Sequence, residues 1–530
     1  MAAGERHRTG GLVTHRVHLQ PPPTLTAPPI ETRADLLESY LSDAAHVPGG
    51  SASGVAHPGG AAEVAALVQA SPRVLPIGAQ SSLTGGATPR GDLVISTRAL
   101  TDITRLSDRT VRVGAGVPLA ELQRTLAADG LYYPPVPTYD GAFVGGTIAT
   151  NAAGAATFKY GSTRQWVDAL SIVLADGSLV EIQRGEVTAS QDHGFEFQAP
   201  SGDVIRVPLP TYTMPDVSKL SAGYFSRPGM DLIDLFIGSE GTLGIVTDAT
   251  LRVIPRPRRC MVLVTCDSDG QATAVTSALR REARASWRGD GVLDVSAVEY
   301  IDSRALAFVP DEVISRAGIQ RPMGTTVLLL VQLDVADRED EALGRMSAVL
   351  DDCGGTVDPQ VAPPGDDRGA ARLFDLREAV PTGVNAAVAA AKHRLRADIE
   401  KVAGDLVVPF ERQREALAMY RDTFERYGLE YAIWGHISDG NMHPNVVPRS
   451  LADVEQGRHA ILEIARRVMA MGGAPLAEHG VGRSTTKQRL LRELYGTRGI
   501  EEMHAVKHAL DPEWKLAAGV LFSEPDVRPG

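Results

Sequence analysis

The chain has 530 residues, 43 % of them hydrophobic and 22 % charged, with 53 Lys and Arg against 65 Asp and Glu for a formal charge of −12. This is globular composition, long enough for a real core without a disulfide or metal staple, and its acidity argues against a generic nucleic-acid binder. Three cysteines (Cys260, Cys266 and Cys353) with no CxxC exclude a dense disulfide framework and argue against a four-cysteine iron–sulfur or zinc site.

In chain order, residues 1–30 read as a flexible arm, broken by Pro21, Pro22, Pro23, Pro28 and Pro29. The basic start lacks the apolar core of a signal peptide, and no apolar run reaches membrane-span length. A cytoplasmic location is expected, with peripheral attachment to a membrane left open. Residues 31–255 alternate short strands, turns and helices: a helix from Ala61 to Gln69, strands at Arg73 to Ile77, Leu93 to Ser96 and Thr110 to Val113, and a hairpin at Asp176-Gly177. Pro255 and Pro257 among Arg256, Arg258 and Arg259 read as a linker. Residues 256–435 then give strand–helix–strand–strand–helix, with strands at Met261 to Thr265, Leu293 to Val298 and Thr326 to Leu333, the pattern of a ferredoxin-like sheet. Pro363 to Gly369 reads as a flexible acidic segment. Residues 436–530 form a C-terminal segment with further helices and two polar clusters.

Three small-residue segments stand out. The first is Pro76-Ile77-Gly78-Ala79-Gln80-Ser81-Ser82-Leu83-Thr84-Gly85-Gly86, which is neither a Walker A loop nor GxGxxG and, alone, is better read as a tight structural loop. The second runs from Gly141 through Gly145-Gly146 and Thr150-Asn151-Ala152-Ala153-Gly154 to Lys159-Tyr160-Gly161-Ser162-Thr163-Arg164, and the third is Gly238 to Thr247. Backbone without side-chain cover packs closely on something, and three such loops together favour a large phosphate-bearing ligand.

The polar clusters are Gly435-His436-Ile437-Ser438-Asp439-Gly440-Asn441-Met442-His443-Pro444, read as a loop, and Ala477-Glu478-His479-Gly480. A turn at Asp439-Gly440 lets His436 and His443 converge, and with Glu478 they make a donor set suited to Zn²⁺ or another divalent ion. Spacing alone is equally compatible with ordinary hydrogen-bonded histidines. Arg377 has the planar fork that grips a carboxylate, although one arginine among many is by itself a surface charge.

In this order, KYGSTR, LADG, GSEGTLGIVT, GHISDGNMH and EHGVG resemble the FAD-linked 2-hydroxyacid dehydrogenases and oxidases (D-lactate dehydrogenase, D-2-hydroxyglutarate dehydrogenase, the glycolate oxidase flavin subunit) of the vanillyl-alcohol oxidase type, over about residues 50–523. The resemblance implies an α+β fold: a two-part PCMH-type FAD-binding domain, a ferredoxin-like α+β cap (substrate) domain and a helical C-terminal segment. It assigns Pro76 to Gly86, including Gly78, Ala79, Gln80, Ser81, Ser82, Thr84, Gly85 and Gly86, to the FAD pyrophosphate. It assigns Gly145, Gly146, Thr150, Asn151, Gly154 and Gly161 to the ribityl and adenosine half, and Glu240, Gly241, Gly244 and Ile245 to the last flavin contact. His436, His443 and Glu478 match the family's metal-binding triad, which implies a divalent ion, zinc first. His479 matches the base, Asn441 a residue near flavin and substrate, Arg377 the carboxylate grip and Lys401 a second cationic contact. The implied reaction is oxidation of a D-2-hydroxy acid, D-lactate-like, to the 2-oxo acid with hydride transfer to flavin N5. An FAD-dependent oxidase of another alcohol, or a flavin subunit needing a partner, stays open. The resemblance also implies noncovalent FAD; His57, ahead of the first loop, does not sit convincingly in a covalent-flavin motif. The implied partners are the hydroxy acid and an electron acceptor (quinone, cytochrome, electron-transfer flavoprotein or O₂); nucleic acid is not expected, and a homodimer is left open. Pro381 stands where 2-hydroxyglutarate enzymes tend to carry a hydroxyl, with Thr382 beside it.

Overall fold

The computed structural model describes residues 17–523 except 136, 191–193, 322–323, 325, 336–337, 355–356, 396–398 and 400–401. Lys401 and most of the expected N-terminal arm lie outside the described residues. The arm's described end is tied down, because Val17–His18 pairs in parallel with Phe197-Gln198, and Val17 and Leu19 are buried.

Besides the small sheet that holds Val17–His18, the first half is built on two larger sheets. Strands β1 (Ser51–Ala56), β2 (Val74–Ile77) and β3 (Arg90–Ser96) form a parallel sheet in the order β1-β3-β2, with helix α1 (Ala61–Ala70) as the crossover from β1 to β2. Strands β4 (Ile103–Arg105), β5 (Thr110–Gly114), β6 (Val167–Val173), β7 (Leu179–Gln183) and β8 (Ile245–Arg252) form an antiparallel sheet in the order β4-β5-β8-β6-β7. Strand β8 alternates buried and partly exposed residues, as a strand with one covered face does. Helices α2 (Leu119–Ala128) and α3 (Val144–Ala149) pack against this half.

The second half is one eight-stranded sheet. Strands β9 (Arg258–Cys266), β10 (Val295–Asp302), β11 (Val327–Val335) and β12 (Val357–Ala362) stand in the order β12-β9-β11-β10, with helices α4 (Asp269–Trp287) and α5 (Glu339–Asp352) between them in sequence. That is the ferredoxin-like arrangement. The sheet continues beyond β10 into β15 (Tyr431–His436) and β16 (Asn441–Val446), which pairs with β13 (Val402–Ala403) and β14 (Leu406–Val407). The polar run Gly435 to Pro444 is therefore a β-hairpin rather than a loop outside regular structure, and a division at 435/436 would cut through β15. The linker reading shrinks as well: Ile254–Pro255 pairs with Leu131–Tyr132, and β9 begins at Arg258, leaving only Arg256 and Pro257 between them.

Helix α6 (Asp367–Leu395) starts inside the segment expected to be flexible and carries Pro381 in its interior. Helices α7 (Gln413–Arg426), α8 (Leu451–Ala470) and α9 (Thr485–Leu510) follow, the last kinked at Gly496. After α9 the chain returns to the first half, where Leu516 bridges Val74. Lys159 spans the two halves, its ammonium 2.6 Å from Asp294 and 2.8 Å from Asp334. Among the described residues no helix is long and apolar enough to cross a membrane.

Candidate active site

A cavity of about 670 Å³ runs between the two halves. Its first-half wall is mostly backbone. Pro76 lies in β2, and Gly78, Ala79, Gln80, Ser81, Ser82 and Gly86 follow it; Gly145, Gly146 and Thr150 come from α3 and its end; Glu240, Gly241, Gly244 and Ile245 lead into β8. The three small-residue segments thus share one wall, and two of them touch: a Cβ on Gly241, whose φ is +74°, would sit 2.8 Å from the Pro76 ring.

The paired glycines of α3 have different reasons to be glycine. A Cβ on Gly145 would lie 2.7 Å from the Ala115 Cβ, so Gly145 lets the helix seat on the chain after β5. A Cβ on Gly146 would meet nothing within 4 Å. It is an uncovered stretch of backbone on the cavity wall, the cradle an extended cofactor requires. Gly145→Ala is therefore expected to lower stability by about 1–3 kcal/mol through overpacking. Gly146→Leu should leave the melting temperature of the flavin-free protein unchanged and empty it of FAD. Absorbance and thermal melts separate the two, and full FAD content in Gly146→Leu would refute the cradle.

Thr84, Gly85, Asn151, Gly154 and Gly161, expected to touch the cofactor, are not on this wall. Asn151, at φ +49°, is buried, donating to the Leu220 carbonyl at 3.3 Å and accepting from the Arg164 amide at 3.0 Å. The Thr84 carbonyl accepts from the Arg483 amide at 3.0 Å, so Thr84 anchors the segment after His479. Glu240 clamps the same segment, accepting from the Val481 and Gly482 amides at 2.7 and 2.8 Å. Burial pushes its carboxyl up to about 7. His57 is 3.4 Å from the Tyr40 hydroxyl and is not on the cavity wall.

The second-half wall comes from α6, the β15–β16 hairpin and the Glu478 segment. Gly440, at φ +85°, makes the turn after Asp439. The pairings His436↔Asn441, Trp434↔His443 and Ala432↔Asn445 then put all of these on one face. Every residue of both strands is buried, so their polar groups need partners. His436 Nε2 lies 3.4 Å and His443 Nε2 3.3 Å from Glu478 Oε1. A tetrahedral ion with bonds of about 2.05 Å separates its ligands by roughly 3.3 Å. Among the described residues His436 Nε2 has no hydrogen-bond partner. Behind it, His436 Nδ1 meets Glu299, the carboxylate support that metal-binding imidazoles use.

Asp405, His443, Glu478 and His479 also offer ligand atoms within 4.8 Å of one another. Asp405 is already committed: Oδ2 accepts from the Glu478 and His479 amides at 3.0 and 2.9 Å, and Oδ1 from Asn441 Nδ2 at 3.2 Å. His443 and Glu478 are common to this group and to the set with His436, and the latter set leaves His479 on the cavity wall with Nδ1 3.5 Å from Asp405 Oδ2.

The surroundings treat the two imidazoles differently. Burial pushes His443 down to about 4, so its imidazole is neutral and can ligate. Burial opposes charge on His436 too, but Glu299 outweighs it and raises His436 to about 9. Burial likewise works against Glu299 and Glu478. His436 and Arg377 nevertheless hold Glu299 down at about 2, and Lys219 and His436 hold Glu478 well below the usual carboxylate range.

Arg377, on α6, is buried and lines the cavity. Its Nε donates to Glu299 at 2.7 Å and Nη1 to Glu378 at 3.0 Å. This holds the fork rigid, and among the described residues Nη2 has no partner. Asn441, expected beside the substrate, turns away onto Asp405 and the Leu406 carbonyl. Asn445, four residues on, lines the cavity instead, with its Oδ1 buried and unpaired. Sequence reading passed over Asn445, Glu299, Asp405 and Lys219; of these only Asn445 left a signal, the period-2 alternation through His443.

Residues 52–183 match the family model described as an FAD binding domain, and residues 254–521 match that of the C-terminal domain of FAD linked oxidases. The chain is 30 % identical to a D-2-hydroxyglutarate dehydrogenase of Xanthomonas citri pv. viticola, over 89 % of this chain and 90 % of that protein. It is 29 % identical to a D-lactate dehydrogenase of Archaeoglobus fulgidus (88 % and 90 % covered) and 27 % identical to the glycolate oxidase subunit GlcD of Bacillus subtilis (85 % and 84 %). Among solved structures, alkyldihydroxyacetonephosphate synthase shares the fold, with a TM-score of 0.59 at 15 % identity over 88 % of this chain and 76 % of that one.

Proposed function

The chain belongs to the FAD-linked oxidases, and we propose that it oxidises a small D-2-hydroxy acid of the D-lactate type to the 2-oxo acid, with noncovalent FAD and a divalent ion, zinc first, at His436, His443 and Glu478. The observation that carries this reading is convergence: the uncovered backbone at Gly146, the Arg377 fork, His443, Glu478 and His479 all face one cavity.

Bound FAD supplies the hydride acceptor, and the divalent ion supplies Lewis acidity at the substrate hydroxyl. The chain does the rest. Arg377, held from behind by Glu299 and Glu378, offers Nη2 to the substrate carboxylate and fixes the α-carbon. His479, with Asp405 against its Nδ1, takes the hydroxyl proton on Nε2. Asn445 Oδ1 supplies an acceptor at the same wall. Pro381 lies one helical turn beyond Arg377 and also lines the cavity. It has no side-chain donor, so the far end of the substrate meets a ring that suits a methyl group better than a second carboxylate.

The electrons then leave for an external acceptor: a quinone, a cytochrome, an electron-transfer flavoprotein or O₂. The experiment is anaerobic absorbance of the holoprotein near 450 nm, about where oxidised flavin absorbs, with D-lactate, L-lactate, D-2-hydroxyglutarate and glycolate added in turn. D-lactate should bleach the band fastest. Faster bleaching by D-2-hydroxyglutarate would overturn the role of Pro381, and bleaching by L-lactate the stereochemistry. A band that none of the four bleaches would overturn the reaction class.

A further inference from the structure

Lys219 lies in the irregular segment before Gly238, in the flavin-binding half, and no part of its side chain is exposed. Its ammonium donates to Glu478 Oε2 at 2.9 Å and to the Gly154 carbonyl at 3.3 Å, and it lies 3.0 Å from Asp439 Oδ2 as an ion pair. The three come from different parts of the fold. Glu478 follows α8, Asp439 sits in the turn of the β15–β16 hairpin, and Gly154 ends the small-residue segment after α3.

A buried lysine needs partners, and one carboxylate would suffice for neutrality. This lysine instead stands between two carboxylates and takes the oxygen of Glu478 that the histidines do not face. Glu478 Oε1 is thereby left toward His436 Nε2 and His443 Nε2, at 3.4 and 3.3 Å. We propose that Lys219 is a positioning residue for the metal centre: it pins Glu478 by its second oxygen so that the first completes the donor set, and it ties that set to the flavin-binding backbone at Gly154. This rests on the reading of His436, His443 and Glu478 as metal ligands.

Charge and position make opposite predictions. If Lys219 were only a nearby positive charge, its removal would relieve repulsion and tighten binding of a cation. If it positions Glu478, its removal frees the carboxylate to rotate and weakens binding, as loss of a supporting contact behind a ligand does.

The test uses the FAD-loaded full chain, stripped of metal with a chelator and titrated with Co²⁺, whose visible bands report the donor set. Lys219→Met should retain FAD, bind Co²⁺ about 10–100-fold more weakly and show altered bands. Lys219→Arg keeps the charge but displaces it, and should weaken Co²⁺ as well. Wild-type or tighter Co²⁺ binding with unchanged bands in either variant would overturn the proposal. Loss of FAD from both would overturn it too, by making Lys219 a residue that holds the fold. Wild-type protein that takes up no Co²⁺ would instead overturn the metal site, a separate outcome.

Discussion

Arg377→Met is expected to cut kcat/KM for the 2-hydroxy acid on the order of 100–1,000-fold while FAD stays bound. The size follows from removing one partner of a buried, hydrogen-bonded charge contact, a loss of about 3–4 kcal/mol. Most of it should appear in KM, because the carboxylate is gripped in the ground state as well as in the transition state. A smaller part should appear in kcat, because an ungripped acid no longer holds its α-carbon in place. The variant has a structural side as well. Glu299 is buried and held down by His436 and Arg377 together, so the loss of Arg377 leaves His436 as its sole cationic partner of the two. Methionine fills most of the arginine stem, so the packing of α6 is kept. Steady-state kinetics with flavin content measured on the same samples decides the matter. Unchanged KM and kcat with D-lactate would remove Arg377 from the substrate site.

What could be read from the sequence divides by sequence distance. The small-residue segments were legible because each is local: backbone exposed at Gly146 or crowded at Gly241 is written in a few consecutive residues. The histidine pair was legible because Asp439-Gly440 marks the turn that joins them. Helix α6 was not, because the acidic stretch from Pro363 to Gly369 reads as flexible, and only packing along Leu373, Leu376, Val380 and Val384 shows the helix. The polar partners were not legible either. Glu299 meets Arg377 across 78 residues and Lys219 meets Glu478 across 259, and no local pattern pairs groups so far apart. Asn441 and Asn445 show the sharper limit. Both lie on the same strand face, and the resemblance pointed to Asn441. Asp405, just ahead of β14, claims Asn441 and leaves Asn445 at the cavity.

Glu478→Gln should give the other large effect: a fall of roughly 1,000-fold or more in the rate of anaerobic flavin reduction by D-lactate, with FAD retained. Lewis-acid stabilisation is worth several kcal/mol, and about 1.4 kcal/mol corresponds to each factor of ten. The amide keeps the shape of the side chain, so Asp405 still receives the backbone amides of residues 478 and 479, and Lys219 still has Asp439 as a counter-charge. The donor set changes, because an anionic oxygen facing two imidazoles becomes a neutral one. Wild-type protein treated with a chelator should fall to the same low rate and recover when Zn²⁺ or Mn²⁺ is restored. In Glu478→Gln the chelator should have almost no further effect, because both treatments remove the same contribution, and groups that act as a unit do not add. If Glu478→Gln reduced its flavin within about tenfold of wild type, the carboxylate would be a structural partner of Lys219 alone. His479, with Asp405 behind it, would then carry the proton transfer without a Lewis acid, at the 100–10,000-fold that a positioned base contributes on the order of.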